Sequence, residues 1–337
     1  MTRVLITHAD EPLGRRTVKR LYHDPEVEAI VAVGDGPAPR SFDRFLAGSE
    51  PRVIYARVDL AKHRPVSELF RSARFREAEI DTVIHLPRHG APAAETAPLV
   101  SGLAERTAEA RLVLQNCLEA NGVANLVVLG SAFVYRLPPG NANRLDENSE
   151  LDLDPDVAPP IRSWIDCDMI FHGEVHNDRL RVVLLRTPTV VAGGGYVYLN
   201  PLLAGPRGLR LREAGYDPIC ALISDKDVAG AIQAAVHSDR SGIYNVAGPE
   251  SVPLSLLARW TGRDSVPLPG PVLALTRRAS RMLGVTPPAD PSDPAHRRYG
   301  FTLDTSRAAR ELGFQPTHRI GLARAGDGAL TLETAPI

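Results

Sequence analysis

The feature that most constrains the fold of this chain is a regular alternation between short apolar runs and longer amphipathic stretches. Six runs rich in β-branched and aliphatic residues predict strands, at residues 3–7, 28–33, 52–56, 82–86, 125–130 and 181–187. Stretches of helical periodicity lie between them, near residues 12–23, 64–76, 93–121 and 162–177. Strands that alternate with helices at this spacing form parallel sheets covered on both faces. Because crossover connections are right-handed, the sequence predicts an α/β fold with a doubly wound, mostly parallel sheet.

The pattern changes after residue 190, where glycine and proline become frequent. A helix near 226–237 and a strand at 243–246 then resume the alternation, and another helical pattern covers 271–283. The sequence therefore predicts a Rossmann nucleotide-binding-type domain. It is assigned to residues 1–190, with 223–248 returning to it; a smaller C-terminal substrate-binding lobe is assigned to 191–222 and 249–320, and a tail without a core pattern to 321–337.

Composition limits the partners and the compartment. With 39 Lys and Arg against 40 Asp and Glu, the net charge of −1 argues against a general surface for nucleic acid or anionic membranes. No window approaches the roughly 20 apolar residues of a membrane span, and no signal-peptide pattern precedes residues 3–7. Cys117, Cys167 and Cys220 form no CxxC pair, so neither a metal site nor a disulfide is indicated. The expectation is a soluble cytoplasmic protein with three buried or half-buried thiols.

The loop between the first strand and the first helix, residues 7–14 (THADEPLG), lies where a dinucleotide's diphosphate binds in such folds. That position requires glycines, because the backbone must turn tightly and approach the phosphates at a helix N-terminus. Here Glu11 would fill this space, and with Asp10 it would repel phosphate by about 1 kcal/mol or more for each close pair. The alternative is that the two acids cap the helix with no ligand present.

The adenosine half of the expected site is better preserved. Asp35 follows the second strand, 21 residues after Gly14. An acid at this position accepts hydrogen bonds from an adenosine ribose and favours NAD over NADP.

Several motifs in the second half of the chain occur in a characteristic order. They are VLLRTP at 183–188, DKDVA at 225–229, GIYNVAG at 242–248, DTSR at 304–307 and ELGFQP at 311–316. Together with the alternation they resemble the NAD-dependent epimerase/dehydratase group of extended short-chain dehydrogenases/reductases, from residue 2 to about 320. The resemblance implies the Rossmann fold; fold alone does not settle activity.

The resemblance also implies the cofactor-binding residues. In the family pattern TGxxGxxG, Thr7 and Gly14 match, Leu13 precedes the final glycine, and His8 and Glu11 replace the other two glycines. The pair Asp59 and Leu60 is similar to the family's Asp–aliphatic pair beside the adenine, and Leu86 and Pro87 lie in its H-hydrophobic-A-A segment. The implied cofactor is NAD. Because the altered loop argues against NAD, the alternative is that the protein binds no cofactor.

The catalytic Ser, Tyr and Lys that the resemblance implies are only partly present. Residues 130–135 (GSAFVY) are similar to the family's strand-end motif and place Ser131 at the serine position; the alternative is a serine that caps a turn. On the next helix Trp164 takes the Tyr position and Asp168 the Lys position. Indole is not an acid or base near neutral pH, and a carboxylate would reverse the charge that activates the Tyr. Tyr135 is no obvious substitute, because it belongs to the strand-end motif.

Three hypotheses follow. The first is a protein without standard hydride transfer that binds a nucleotide, a metabolite or a partner in the ancestral cleft. The second is an active nucleotide-sugar epimerase/dehydratase or reductase-like enzyme with other groups, such as Ser131 with Asp168, His172 or His89. The third is a structural subunit of a complex, which would use helices 93–121 and 162–177 as its contact surface. The same two helices would form a homodimer. Arg207, Arg210, Arg212 and Arg298 are candidate phosphate contacts.

Overall fold

The computed structural model describes residues 1–47, 52–88, 101–192, 196–198, 200, 210–261, 264–282, 294–324 and 330–337. The strands are β1 (Thr2–Ile6), β2 (Val27–Gly34), β3 (Val53–Arg57), β4 (Thr82–His85), β5 (Asn125–Ser131), β6 (Arg144–Leu145), β7 (Arg181–Thr187), β8 (Thr189–Ala192), β9 (Tyr196–Tyr198), β10 (Arg210–Glu213), β11 (Ile219–Ser224), β12 (Gly242–Asn245), β13 (Ser251–Pro253), β14 (Ser265–Leu268), β15 (Thr302–Leu303), β16 (His318–Arg324) and β17 (Leu330–Pro336). The helices are α1 (Pro12–Tyr22), α2 (Asp43–Leu46), α3 (His63–Arg71), α4 (Ala73–Glu77), α5 (Ser101–Glu119), α6 (Pro159–His172), α7 (Asp225–His237), α8 (Leu254–Trp260), α9 (Gly270–Met282), α10 (Pro294–Arg298) and α11 (Ser306–Glu311).

Seven of the described strands form one parallel sheet in the order β12-β7-β5-β4-β1-β2-β3. Each lies at a position that the apolar runs predicted, so the doubly wound Rossmann sheet is confirmed. Strand order reverses at β1, which has β2 on one side and β4 on the other. The loops that leave the carboxyl ends of these three strands therefore meet at one crevice, the usual place for a ligand in such sheets.

The sheet is covered on both faces because its strands alternate between two apolar clusters. In β1, Val4 and Ile6 face one cluster and Leu5 faces the other, as the two-residue period of a strand requires. The first cluster includes buried residues of α1 and α7, and the second includes those of α3 and α5. Helix α6 contributes to both, with Trp164 in the first and Phe171 in the second.

Two predicted helices differ from the structure in their bounds. The helix predicted at 64–76 is two helices, because the Ser72 hydroxyl accepts a hydrogen bond from Phe75 N and starts α4. The helix predicted at 162–177 begins earlier, at Pro159, and ends at His172. Of the helix predicted at 93–121, residues 93–100 lie outside the described part of the chain.

Two other regions correct the sequence-based expectations more strongly. Strands β8 and β11, which the apolar runs did not predict, pair in parallel across the boundaries assigned to the smaller lobe, at residues 189–191 and 222–224. Both are short and border another element: Pro188 alone separates the four residues of β8 from β7, and the six residues of β11 directly precede α7. The tail from 321 is also not irregular where described, since β17 pairs with β16 and Leu332 is fully buried. The division into two lobes stays a prediction.

All three cysteines are free and buried, as predicted. Within the described residues, no helix has both the length and the apolar character that crossing a bilayer requires.

Candidate ligand-binding cleft

The β1–α1 loop keeps the backbone shape of a glycine-rich loop without two of its glycines. His8 has φ 47°, in the left-handed region that glycine prefers. A Cβ at Gly14 would lie 2.1 Å from the His8 carbonyl oxygen, so the close approach of α1 to the loop requires a glycine there. Leu13 is fully buried in the core beneath. The backbone therefore has, at positions 8 and 14, the conformation or the close contact for which glycine is suited, although position 8 is a histidine.

The two acids of this loop do not have the capping role considered from the sequence. Glu11 is the N-cap residue of α1, yet its side chain makes no capping hydrogen bond. The Asp10 carboxylate instead accepts a hydrogen bond of 3.0 Å from Gly36 N, at the end of β2. Pro12 occupies the first turn of α1, as its fixed φ favours.

His8 and Glu109 form a buried pair in the cleft. The His8 imidazole donates from Nε2 to Glu109 Oε2 over 2.9 Å, and the two side chains are 2% and 1% exposed. Burial opposes ionisation of Glu109, but the hydrogen bond from His8 and the charges of His8, His85 and Arg88 outweigh it and lower its pKa. Sequence reasoning missed Glu109. Its one signal was an acid beside the apolar positions Ala110 and Val113 of α5, both of which are buried.

Asp35, the predicted ribose-binding acid, is paired with another residue of the chain. Its Oδ2 lies 2.7 Å from a guanidinium nitrogen of Arg88, which follows β4. The same nitrogen of Arg88 lies 3.7 Å from Glu109 Oε1. Asp35, Arg88, Glu109 and His8 therefore form one continuous chain of charged and polar side chains across the crevice.

The remaining predicted cofactor residues order the neighbouring turns. The Thr7 hydroxyl accepts from Leu86 N at 2.9 Å and donates to Leu86 O at 3.1 Å, which joins the ends of β1 and β4. Asp59 accepts from Ala61 N and pairs with Lys62 Nζ at 2.8 Å. Leu60 lies in the second core cluster, and Pro87 is buried.

His85 is buried next to this network, with its Nδ1 3.2 Å from the Thr7 hydroxyl oxygen. Burial, with a further contribution from nearby His8, lowers the pKa of His85 from 6.5 to about 4 against the opposing effect of Glu109. The unfolded chain takes up this proton near pH 6.5, before the folded protein does, so the stability should fall as the pH falls from about 6.5 to about 4. We expect a loss of about 3 kcal/mol over that window, measured by urea unfolding at a series of pH values.

The variant His85→Gln keeps a polar side chain and should flatten that pH dependence. His63→Gln, at the exposed start of α3, is the matched control and should leave it unchanged. An unaltered slope in His85→Gln would show that another group is responsible.

Ser131 and Tyr135 have structural partners. The Ser131 hydroxyl accepts from Phe133 N at 3.2 Å and caps the turn after β5, the alternative role considered for it. The Tyr135 hydroxyl donates to Asn245 Oδ1 at 2.7 Å and accepts from Arg186 at 3.1 Å. Burial raises the pKa of Tyr135 to about 12, against the opposing effect of Arg186. Tyr135 is therefore unsuited to proton transfer near neutral pH.

On α6, Trp164 and Asp168 both face the interior. Trp164 is 5% exposed, and the guanidinium carbon of Arg106 lies 4.2 Å from the centre of its ring. Asp168 accepts two hydrogen bonds from Arg186, from Nε at 2.8 Å and from a terminal nitrogen at 2.7 Å. His172 Nδ1 is 3.8 Å from Asp168 Oδ1, so the predicted His–Asp pair exists, but Asp168 is only 1% exposed and is directed at Arg186.

The other candidate groups lie elsewhere or outside the described residues. Arg298 donates two hydrogen bonds to Glu213, at 2.9 and 3.0 Å, so its predicted role as a phosphate contact is not supported. Arg212 donates to Tyr216 O. His89, Arg207 and the side chain of Arg210 lie outside the described part of the chain.

A parallel seven-stranded sheet whose strand order reverses at β1 defines a doubly wound Rossmann-fold protein. Solved nucleotide-sugar dehydratases and epimerases have a similar fold, as the motifs predicted. The dTDP-glucose 4,6-dehydratase of Bacillus anthracis, solved with NAD, is 14% identical with a TM-score of 0.63, covering 94% of this chain and 92% of that one. The UDP-glucuronic acid 4-epimerase of Bacillus cereus, solved with UDP-glucuronic acid and NAD, is 16% identical with a TM-score of 0.63, covering 93% and 94%.

The sequence of this chain is less similar to those of known proteins than the structural matches suggest. No family model matches the chain. Uncharacterised proteins of Mycobacterium tuberculosis and Mycobacterium bovis are 27% identical over 325 residues, which cover 93% of this chain and 80% of theirs. At these identities the comparisons show the fold, and the function has to be argued from the cleft.

Proposed function

We propose that this protein binds a small-molecule or nucleotide-type ligand in the crevice of its Rossmann domain and does not carry out the hydride transfer usual for the fold. The observation that carries the proposal is the state of α6, where Trp164 packs under Arg106 and Asp168 is bound to Arg186. These are the two positions that the resemblance assigns to the catalytic Tyr and Lys.

The chemistry of the replacing groups supports this proposal. Indole has a donor N–H and no group that exchanges a proton near neutral pH. Burial opposes ionisation of Asp168, but the hydrogen bonds and charges of His172 and Arg186 outweigh it and lower its pKa. A carboxylate held ionised by an internal arginine supplies neither a proton nor the positive charge of a lysine.

The cofactor end of the cleft also departs from what NAD requires. NAD would need the Asp35 carboxylate for its ribose and open backbone at the β1–α1 loop for its diphosphate. In this structure Arg88 holds Asp35, and the loop carries His8 and Glu11 in place of glycines. As arranged, the described residues do not fit the dinucleotide, and we assign no chemical step to it.

The proposal is tested by incubating the purified protein with NAD or NADP and a panel of UDP- and dTDP-linked sugars, the ligand class of the similar structures. We expect neither reduced cofactor by absorbance nor an epimerised or dehydrated sugar by chromatography. A ligand of the cleft should instead raise the thermal midpoint, since a compound at 100 times its Kd stabilises by about 2.7 kcal/mol. Turnover of any sugar with added cofactor would refute the proposal.

A second candidate is an enzyme that uses other groups, and the buried His8–Glu109 pair favours it. An imidazole oriented by a carboxylate is a common acid–base arrangement. If this candidate is correct, the same panel should give a product that is lost in His8→Gln.

The proposal also includes a cytoplasmic location and a homodimer that forms through α5 and α6. Sedimentation of the purified protein tests the dimer.

A further inference from the structure

Two side chains from different parts of the chain, Asp10 and Tyr55, converge on residues 34–36, the turn that carries Asp35. Asp10 accepts from Gly36 N, and the Tyr55 hydroxyl donates to Gly36 O at 2.8 Å. A Cβ built on Gly34 would lie 2.3 Å from Asp10 Oδ1 and 2.5 Å from the Tyr55 hydroxyl oxygen. The space beside this turn is therefore filled by the protein's own side chains.

Arg88 completes the enclosure from the other side of β1. It follows β4, while Asp35 follows β2, and these two strands flank β1 in the sheet. The Arg88–Asp35 ion pair of 2.7 Å thus crosses the carboxyl end of β1. In a Rossmann sheet the adenosine ribose and the diphosphate pass over this point.

The acidic side chains around Arg88 stabilise its positive charge. Burial opposes its charge, but Glu109 and Asp35, with smaller contributions from Glu105 and Glu11, outweigh it and raise the pKa of Arg88. A dinucleotide would have to break the Asp35 pair and bring its phosphates next to Glu11. Both changes have an electrostatic cost, which is modest for the Asp35 pair because its two side chains are 41% and 30% exposed.

We infer that Arg88 is a specificity-determining residue whose guanidinium takes the place of the adenosine ribose at Asp35 and so excludes adenine dinucleotides from the cleft. The inference concerns the cofactor end alone and does not depend on the residues of α6. It also gives Asp35 a role in a chain whose diphosphate loop lacks two of the glycines, since Asp35 here binds a residue of the chain itself.

The test is calorimetric titration of the purified full-length protein with ADP-ribose and with NAD. Arg88→Ala removes the guanidinium and frees Asp35, and we expect it to bind ADP-ribose at least about tenfold more tightly than the wild type. The double variant Arg88→Ala/Asp35→Ala should lose this gain. Arg64→Ala is the matched control, because Arg64 pairs with Glu68 on the surface of α3, and it should bind as the wild type does.

Two results would overturn the inference. One is a double variant Arg88→Ala/Asp35→Ala that binds ADP-ribose as tightly as Arg88→Ala does, since Asp35 would then not be the group that the guanidinium covers. The other is a folded Arg88→Ala protein, with an unfolding transition like that of the wild type, that shows no gain. If Arg88→Ala does not fold, Arg88→Gln retains most of the side-chain volume without the charge and is judged by the same criterion.

Discussion

Replacing Asp168 by alanine is expected to lower the free energy of unfolding by about 3–5 kcal/mol, because it leaves the buried Arg186 guanidinium without its counter-charge. Arg186 is fully buried, and Asp168 provides two of its hydrogen bonds. Chemical unfolding followed by circular dichroism measures the loss.

Asp166→Ala is the matched control for this prediction, since it makes the same substitution at a more exposed position of the same helix. It should change the stability by no more than about 0.5 kcal/mol. A buried ion pair often stabilises no more than apolar residues of similar size, so Asp168→Leu combined with Arg186→Met should recover most of the loss. If Asp168→Ala is as stable as the control, Asp168 does not have the structural role assigned to it.

Replacing Trp164 by alanine should have an effect of similar size, about 3–5 kcal/mol, since it opens a large cavity in the first core cluster. The indole is buried among residues of that cluster, and it also supports the Arg106 guanidinium at 4.2 Å. The same unfolding measurement tests this expectation.

The control for Trp164 is the conservative variant Trp164→Phe, which keeps an aromatic face under Arg106. It should lose much less stability than the alanine variant, on the order of 1–2 kcal/mol. Equal losses in the two variants would mean that the position tolerates no change of volume and that the stacking of Arg106 contributes little.

These two predictions bear on function because they concern the positions of the missing catalytic pair. A lysine at position 168 would lie against Arg186 and bury two like charges together. Restoring Tyr and Lys at positions 164 and 168 is therefore expected to unfold the protein, with no gain of activity. The two positions now stabilise the fold, which is why we infer that the cleft is used without them.

Much of the fold was predictable from the sequence because it depends on local patterns. The seven parallel strands follow from apolar runs and from the helices between them. Gly14 was also predictable, since its requirement comes from the adjacent turn, and the same turn keeps His8 at φ 47°. Strands β8 and β11 were missed because no connection long enough to mark a separate element divides β8 from β7 or β11 from α7.

The sequence by itself determined which groups are absent from the cleft, namely two loop glycines and the Tyr and Lys. Only the tertiary structure decided what the replacing side chains bind. His8 is 101 residues from Glu109, and Asp168 faces Arg186 from a different element. Such pairs depend on strand order and on the rotation of each helix about its axis, which local periodicity specifies too coarsely to place single side chains. Asp35 illustrates the difference, since the sequence identified a ribose-binding acid and the structure pairs it with Arg88.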